Sequence, residues 1–256
     1  MRKIDLNCDL GESFGPYTIG NDELILPFVS SVNIACGFHA GDPATLEKTV
    51  QRAKIHSTKV GAHPGFQDRL HFGRRALPVT EKEAYQLVLY QLGALAAFCK
   101  VNEVELHHVK PHGALYNMAA KDRMLAQAIA TAVVDFNPSL ILYGLSNSAL
   151  IEAGQEVGLQ TASEAFADRT YLADGTLSPR HMNGSVIQEK EKALAQVRQM
   201  LMDGTVTAIT GEVIPLKVDT ICLHGDNEHA LLFSESLHAM LNAEGISIEP
   251  IQKVEK

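Results

Sequence analysis

Seven short apolar runs, at 3–8, 32–36, 58–62, 106–110, 140–143, 159–162 and 220–223, recur along the chain with helix-like stretches between most of them. Strands that alternate with helices pair in parallel, because each helical crossover returns the chain to begin the next strand in the same direction. The alternation therefore predicts an α/β fold. The chain has 256 residues, and closed α/β barrels commonly reach about 250 residues as one unit. No Pro-rich or Ser/Gly-rich linker interrupts the pattern, so one domain over 1–256 is expected.

Helix boundaries are marked locally. Asp42 before Pro43 reads as an N-cap, and Thr80 with Glu83 and Ser185 with Gln188 each fit a capping box. After Thr80, the residues Ala84, Leu87, Val88, Leu92 and Leu95 share one face. Gly204 is placed to end a helix that begins near Val186. The stretches 63–78 and 164–184 are longer than a βα loop needs, and loops of that size commonly carry function.

Composition excludes several classes. With 22 Lys+Arg against 30 Asp+Glu, the formal charge of -8 gives no basic face for nucleic-acid phosphates. No apolar run approaches the ~20 residues of a membrane span, and the opening residues lack a signal peptide's apolar centre, so the reading is cytoplasmic. Cys8, Cys36, Cys99 and Cys222 form no C-x-x-C pair and are read as reduced core thiols.

Chemistry gathers where the strands end. Asn7 stands near the end of the first run, with Asp9 and Glu12 after it; His39 and Asp42 follow the second, His63 the third, Lys110 ends the fourth with His112 after it, and His224 and Asp226 follow the last. Parallel α/β folds bind ligands at the carboxyl ends of their strands, so these loops are expected to converge on one pocket. Histidine exchanges protons near pH 6.5, and carboxylates such as Asp9, Glu12, Glu164 and Asp226 suit orienting or base roles. Arg74, Arg75 and Arg169, with Lys110, suit phosphate or carboxylate oxygens. No Gly-Lys step or G-x-G occurs, so neither a P-loop nor a dinucleotide fingerprint is present.

Two local motifs point elsewhere. Gly11-Glu-Ser13-Phe-Gly15 matches a nucleophile elbow, yet Pro16 and Gly20 interrupt the helix that must follow, and no earlier strand exists to supply an oxyanion loop. His108 and His112 have an H-x-x-x-H spacing, but Pro111 argues against a helix there. An even separation leaves them able to share a strand face, and whether a metal is bound stays open. Asp5 and Asn7 alternate with Ile4 and Leu6, so they are expected to point into the fold and to tolerate change far less than Lys253 or Glu255 in the charged tail.

The blocks DLNCDLGESFG (5–15), NIACGFHAGDP (33–43), GAHP (61–64), FGRR (72–75), VKPHGALYN (109–117), FADR (166–169) and TICLHGD (220–226) together resemble the LamB/YcsF family. Gly65 and Gln67 depart from the serine and proline expected in that pattern. The resemblance implies a distorted (β/α) barrel of about seven parallel strands, related to glycoside hydrolases and deacetylases. It also implies ATP-dependent opening of 5-oxo-L-proline to L-glutamate, with magnesium accompanying the nucleotide and two further subunits, PxpB and PxpC. Under it, Asp9, His39, His63, His112 and Glu164 are the candidate catalytic groups. Asn7, Glu12, Arg74, Arg75, Lys110, Arg169, His224 and Asp226 are candidates for holding substrate or phosphate. The competing readings are a stand-alone metal-dependent amidohydrolase or deacetylase, and a non-catalytic subunit that binds a lactam or carbohydrate.

Overall fold

The computed structural model describes residues 2–223 and 230–254. Strands β1 (Arg2–Leu10), β2 (Ser31–Ala35), β3 (Lys59–His63), β4 (Leu106–Val109), β5 (Ile141–Leu145), β6 (Gln160–Phe166) and, later in the chain, β9 (Thr220–Leu223) are all parallel neighbours. β1 also pairs with β9, from Asp5 opposite Thr220 to Cys8 opposite Leu223, and this contact closes a seven-strand barrel. All seven strands fall on the seven apolar runs.

Helices α1 (Asp22–Ile25), α2 (Pro43–Ile55), α3 (Glu81–Val101), α4 (Gly113–Ala119), α5 (Arg123–Phe136), α6 (Ala149–Glu156), α7 (Lys190–Asp203) and α8 (Ala230–Ala243) fill the connections. Asp42 caps α2 by accepting the Thr45 N–H at 2.8 Å, and Thr80 and Glu83 form the expected box at the start of α3. Gly204 ends α7 in the left-handed region. The Ser185 box does not form: α7 begins at Lys190, and the Ser185 hydroxyl donates to Arg180 O instead. A two-stranded antiparallel ribbon, β7 (Thr205–Thr207) with β8 (Val213–Pro215), and a short strand β10 (Ile246–Ile248) beside β1 complete the fold.

The strands alternate in an unusual sense. Ile4, Leu6, Cys8 and Leu10 of β1 join the large apolar cluster. Asp5, Asn7 and Asp9, on the other face, bond across to Ser31, Asn33, Lys110, Glu164 and Thr220. Much of the barrel lumen is therefore polar. At its base Asp5 accepts hydrogen bonds from Ser30, Ser31, Tyr143 and Thr220. Burial still raises its carboxyl above the ordinary aspartate value, outweighing those hydroxyls.

Space in the lumen is set by Gly61. A Cβ there would stand 2.2 Å from His108 Nε2, so the absence of a side chain is what lets the His108 ring cross the barrel and donate to Asn33 Oδ1 at 2.8 Å. All four cysteines are buried and free. By length and composition α3 alone among the described helices is apolar enough to cross a membrane, but its Ala84, Val88, Leu92 and Leu95 stripe is packed into the apolar cluster. The tail is not a loose appendage, for Lys253 donates to Leu106 O and pairs with Glu105.

Candidate active site

The carboxyl ends of the strands open into a cavity of about 450 Å³. Its floor is built from the top of the lumen. Lys110, directly after β4, is 2% exposed and meets Glu164 Oε1 at 2.7 Å, Asp9 Oδ1 at 3.0 Å, Asn7 Oδ1 at 3.1 Å and Cys222 Sγ at 3.1 Å. Burial opposes the charge on Lys110, but Asp9, Cys222 and Glu164 outweigh it and hold the ammonium well above the usual lysine value. Tyr116 on α4 donates to Glu164 Oε2 at 2.7 Å. Burial first, then the Glu164 charge, pushes this phenol well up, so it stays protonated.

Beside this floor stand three histidines. His63, the last residue of β3, approaches Asp9 Oδ2 at 3.2 Å through Nε2 and bonds Lys110 O at 2.7 Å through Nδ1. His112, capping the start of α4, faces His63 Nε2 at 2.9 Å through Nδ1 and Phe72 O at 2.8 Å through Nε2. His39 lies flat on His112, ring centres 3.7 Å apart and planes 3° apart, with no hydrogen-bond partner for either ring nitrogen among the described residues. Burial lowers His39 and His112 well below the ordinary imidazole value, and the neighbouring histidines add to that. Gly65 makes room for the stack: a Cβ there would lie 2.6 Å from His39 Nδ1.

The rim is cationic. Arg74 lies over the Phe72 ring at 4.9 Å and lines the cavity. Arg169, held by the carbonyls of Ser178 and Ser185, also lines the cavity, and burial brings its guanidinium down to about 10.

Most of the expected residues meet here. Asp9, Glu12, His63, His112, Arg74, Lys110 and Arg169 line the cavity. Asn7 and Glu164 lie fully buried just beneath it, and His39 stands behind His112. Arg75 is not on the wall; its guanidinium pairs with Asp68 at 3.2 Å. His224 and Asp226 lie outside the described residues. His108 and His112 part company, since His108 is buried in the lumen on Asn33. The elbow serine is no nucleophile: Ser13 Oγ accepts from Ile19 N at 3.0 Å, and the next helix begins only at Asp22 rather than directly after it.

Two further members lie inside the 33–43 and 109–117 blocks but are not among the candidate site residues. Asn33 bridges Asn7, Asp9 and His108, and Tyr116 carries the Glu164 contact. Asn33 is a polar residue in an apolar strand run, which is a legible signal.

A family model described as LamB/YcsF matches residues 4–256. The chain belongs to the LamB/YcsF family. LamB/YcsF relatives named as the A-subunit of 5-oxoprolinase are 56% identical over 99% of this chain and 98% of theirs in Geobacillus thermodenitrificans, and 53% identical over the same shares in Bacillus subtilis. The crystal structure of a lactam utilization protein from Thermus thermophilus matches with a TM-score of 0.91 at 43% identity, covering 97% of this chain and all of that one. The LamB/YcsF blocks at 5–15, 61–64, 72–75, 109–117 and 166–169 each supply residues to the cavity lining.

Proposed function

We propose that this chain is a component of an ATP-dependent 5-oxoprolinase, acting with partners of the PxpB and PxpC type to open 5-oxo-L-proline to L-glutamate. The near-full-length match to relatives named as a 5-oxoprolinase component carries this reading. The chemistry of the cavity agrees with it.

A five-membered lactam is a stabilised amide and a poor electrophile. ATP, entering as magnesium complex, supplies the phosphoryl group that turns the lactam oxygen into part of a leaving group. Water then adds at the ring carbon and the C–N bond breaks, its electron pair and a proton going to nitrogen. A second water releases phosphate from the resulting acyl phosphate. No P-loop is present in this sequence, and the cavity's own side chains suit the lactam and its phosphoryl group. Arg74 and Arg169 face the cavity as forks for carboxylate or phosphoryl oxygens. Asp9 and Glu12 are acceptors for the proton that the adding water loses, and the charged Lys110 and the phenol of Tyr116 are donors on the floor.

Glutamate release from 5-oxoproline, measured with and without ATP-magnesium and with and without both partners, tests the proposal. Turnover is expected only when every component is present. Turnover by this chain alone, independent of ATP, overturns it in favour of a free-standing amidohydrolase.

A further inference from the structure

Two backbone carbonyls decide where the protons sit on the central histidine pair. A carbonyl oxygen only accepts, so Lys110 O takes the proton of His63 Nδ1 and Phe72 O takes that of His112 Nε2. In the neutral rings the remaining nitrogens, His63 Nε2 and His112 Nδ1, then carry bare lone pairs, and they face each other at 2.9 Å. Asp9 Oδ2 is a third acceptor, 3.2 Å from His63 Nε2. Glu12 adds a fourth: one ligand atom from each of Glu12, His39, His63 and His112 lies within 4.8 Å of the other three. Electron-pair donors converging in a buried place repel one another, and a cation standing among them relieves that repulsion, as Lys110 already does at Asp9 Oδ1.

We propose that His63 Nε2, His112 Nδ1 and the carboxylates of Asp9 and Glu12 bind a divalent transition-metal ion, zinc being the ion that suits this donor set. Imidazole with carboxylate is a zinc-type set, and tetrahedral bonds of about 2.0–2.2 Å place ligand atoms about 3.3–3.6 Å apart; His63 Nε2 already stands 2.9 Å from His112 Nδ1 and 3.2 Å from Asp9 Oδ2, with a Glu12 ligand atom within 4.8 Å of both histidines. The outer contacts are those of a metal site, for each ligating ring donates its other N–H to a backbone carbonyl and is fixed in tautomer and direction. Lys110 meets Asp9 at Oδ1, while Oδ2 is turned to His63.

His39 is a brace rather than a ligand. Its ring is parallel to His112 at 3.7 Å, so an ion in the plane of His112 lies far out of the plane of His39. The competing occupant is a single proton shared between His63 and His112. His107 and His108 pose that simpler case, Nδ1 to Nδ1 at 3.1 Å, but no third metal-ligand atom groups with them among the described residues. The converging carboxylates are what favour the metal at the other pair.

The full chain, stripped with a chelator, is titrated with zinc by calorimetry, and its cobalt form is examined by visible absorption. One zinc per chain is expected, with affinity lowered about 100-fold or more in His112→Ala and in Asp9→Asn. His56→Ala, exposed at the end of α2, is the control and keeps the site. Should His112→Ala fail to fold, the near-isosteric Asp9→Asn and the ligand-field bands of the unaltered cobalt protein still decide the matter. No stoichiometric binding by the unaltered chain, or binding that Asp9→Asn and a folded His112→Ala leave unchanged, overturns the proposal. No lactam or turnover enters the measurement, so it is decided separately from the 5-oxoprolinase reading.

Discussion

A single hydrogen atom for a side chain, at Gly61, determines whether the polar lumen can be assembled. The buried His108 ring passes where a Cβ would stand, 2.2 Å from Nε2, and that nitrogen donates to Asn33, which in turn positions Asn7 and Asp9. Gly61→Ala must displace a ring with no room to retreat, so a loss at or above the upper end of the ~1–3 kcal/mol range for overpacking is expected. Gly93, at an open position in the middle of α3, is the counterpart. There the added methyl meets nothing within 4 Å, and helix propensity gives Gly93→Ala a gain of up to about 1 kcal/mol. Urea unfolding of the two variants checks the pair, and equal tolerance would contradict the packing described for His108.

At the scale of elements, α3 does more than cover the barrel. Gln91 is fully buried within its apolar stripe and clamps the β3–α3 loop, accepting from Gly65 N at 2.9 Å and donating to Gly65 O at 3.0 Å. That loop follows His63 and leads to Phe72 and Arg74, so the helix fixes one wall of the cavity. Gln91→Met keeps the volume but leaves both backbone groups of Gly65 without their partner, at about 1–3 kcal/mol for each. A fall of about 2–6 kcal/mol in unfolding free energy is expected from denaturant melts, and an unchanged midpoint would show that the loop holds itself. A glutamine among Ala84, Val88, Leu92 and Leu95 is visible in the sequence, but its partner is not, because the contact joins residues 26 apart. The same limit explains the other differences. Seven strands were legible because each is a clear apolar run, whereas β7, β8 and β10 are three residues each and too short to show a period. Ser185 has the spacing of a cap, yet its hydroxyl and carbonyl are taken by Arg180 and Arg169 in a loop whose path only tertiary packing sets. Arg74 and Arg75 are equivalent in the sequence, and only the fold of 64–80 turns one to the cavity and the other to Asp68.

For the whole molecule, the two ends of the barrel have separate tasks. The carboxyl end is open and carries the cavity, while the amino end is crossed by the C-terminal segment. β10 pairs with β1 from Arg2 opposite Ile246 to Ile4 opposite Ile248, and Glu249 N donates to Ile4 O. Beyond it, Ile251 packs on Ile141, Tyr143 and Ala162 at the base of the lumen, and its carbonyl accepts from His107 Nε2 at 3.0 Å. Gln160 and Val254 then tie the tail to the start of β6. The charged residues of this tail suggest a tolerant appendage, but its backbone and isoleucines serve as a plug. Ending the chain at Gly245 removes the buried Ile246 and the partly buried Ile248 and Ile251. At about 1.5–3 kcal/mol per fully buried aliphatic side chain, discounted for the partly exposed pair, a loss of about 4 kcal/mol is expected. For a domain of this size that corresponds to a melting temperature lower by about 8–16 °C. Zinc affinity measured well below the new melting point should stay within a few-fold of the full chain, because Asp9 on β1, His63 on β3 and His112 at the start of α4, just after β4, sit at the opposite end, and the mutual pairing of those strands is untouched. A truncated chain that melts like the full one would mean that the amino end of the barrel is closed without its tail. Loss of the metal site in a truncated chain that is still folded would mean that the two ends are coupled through the polar ladder running from Asp5 to Asp9.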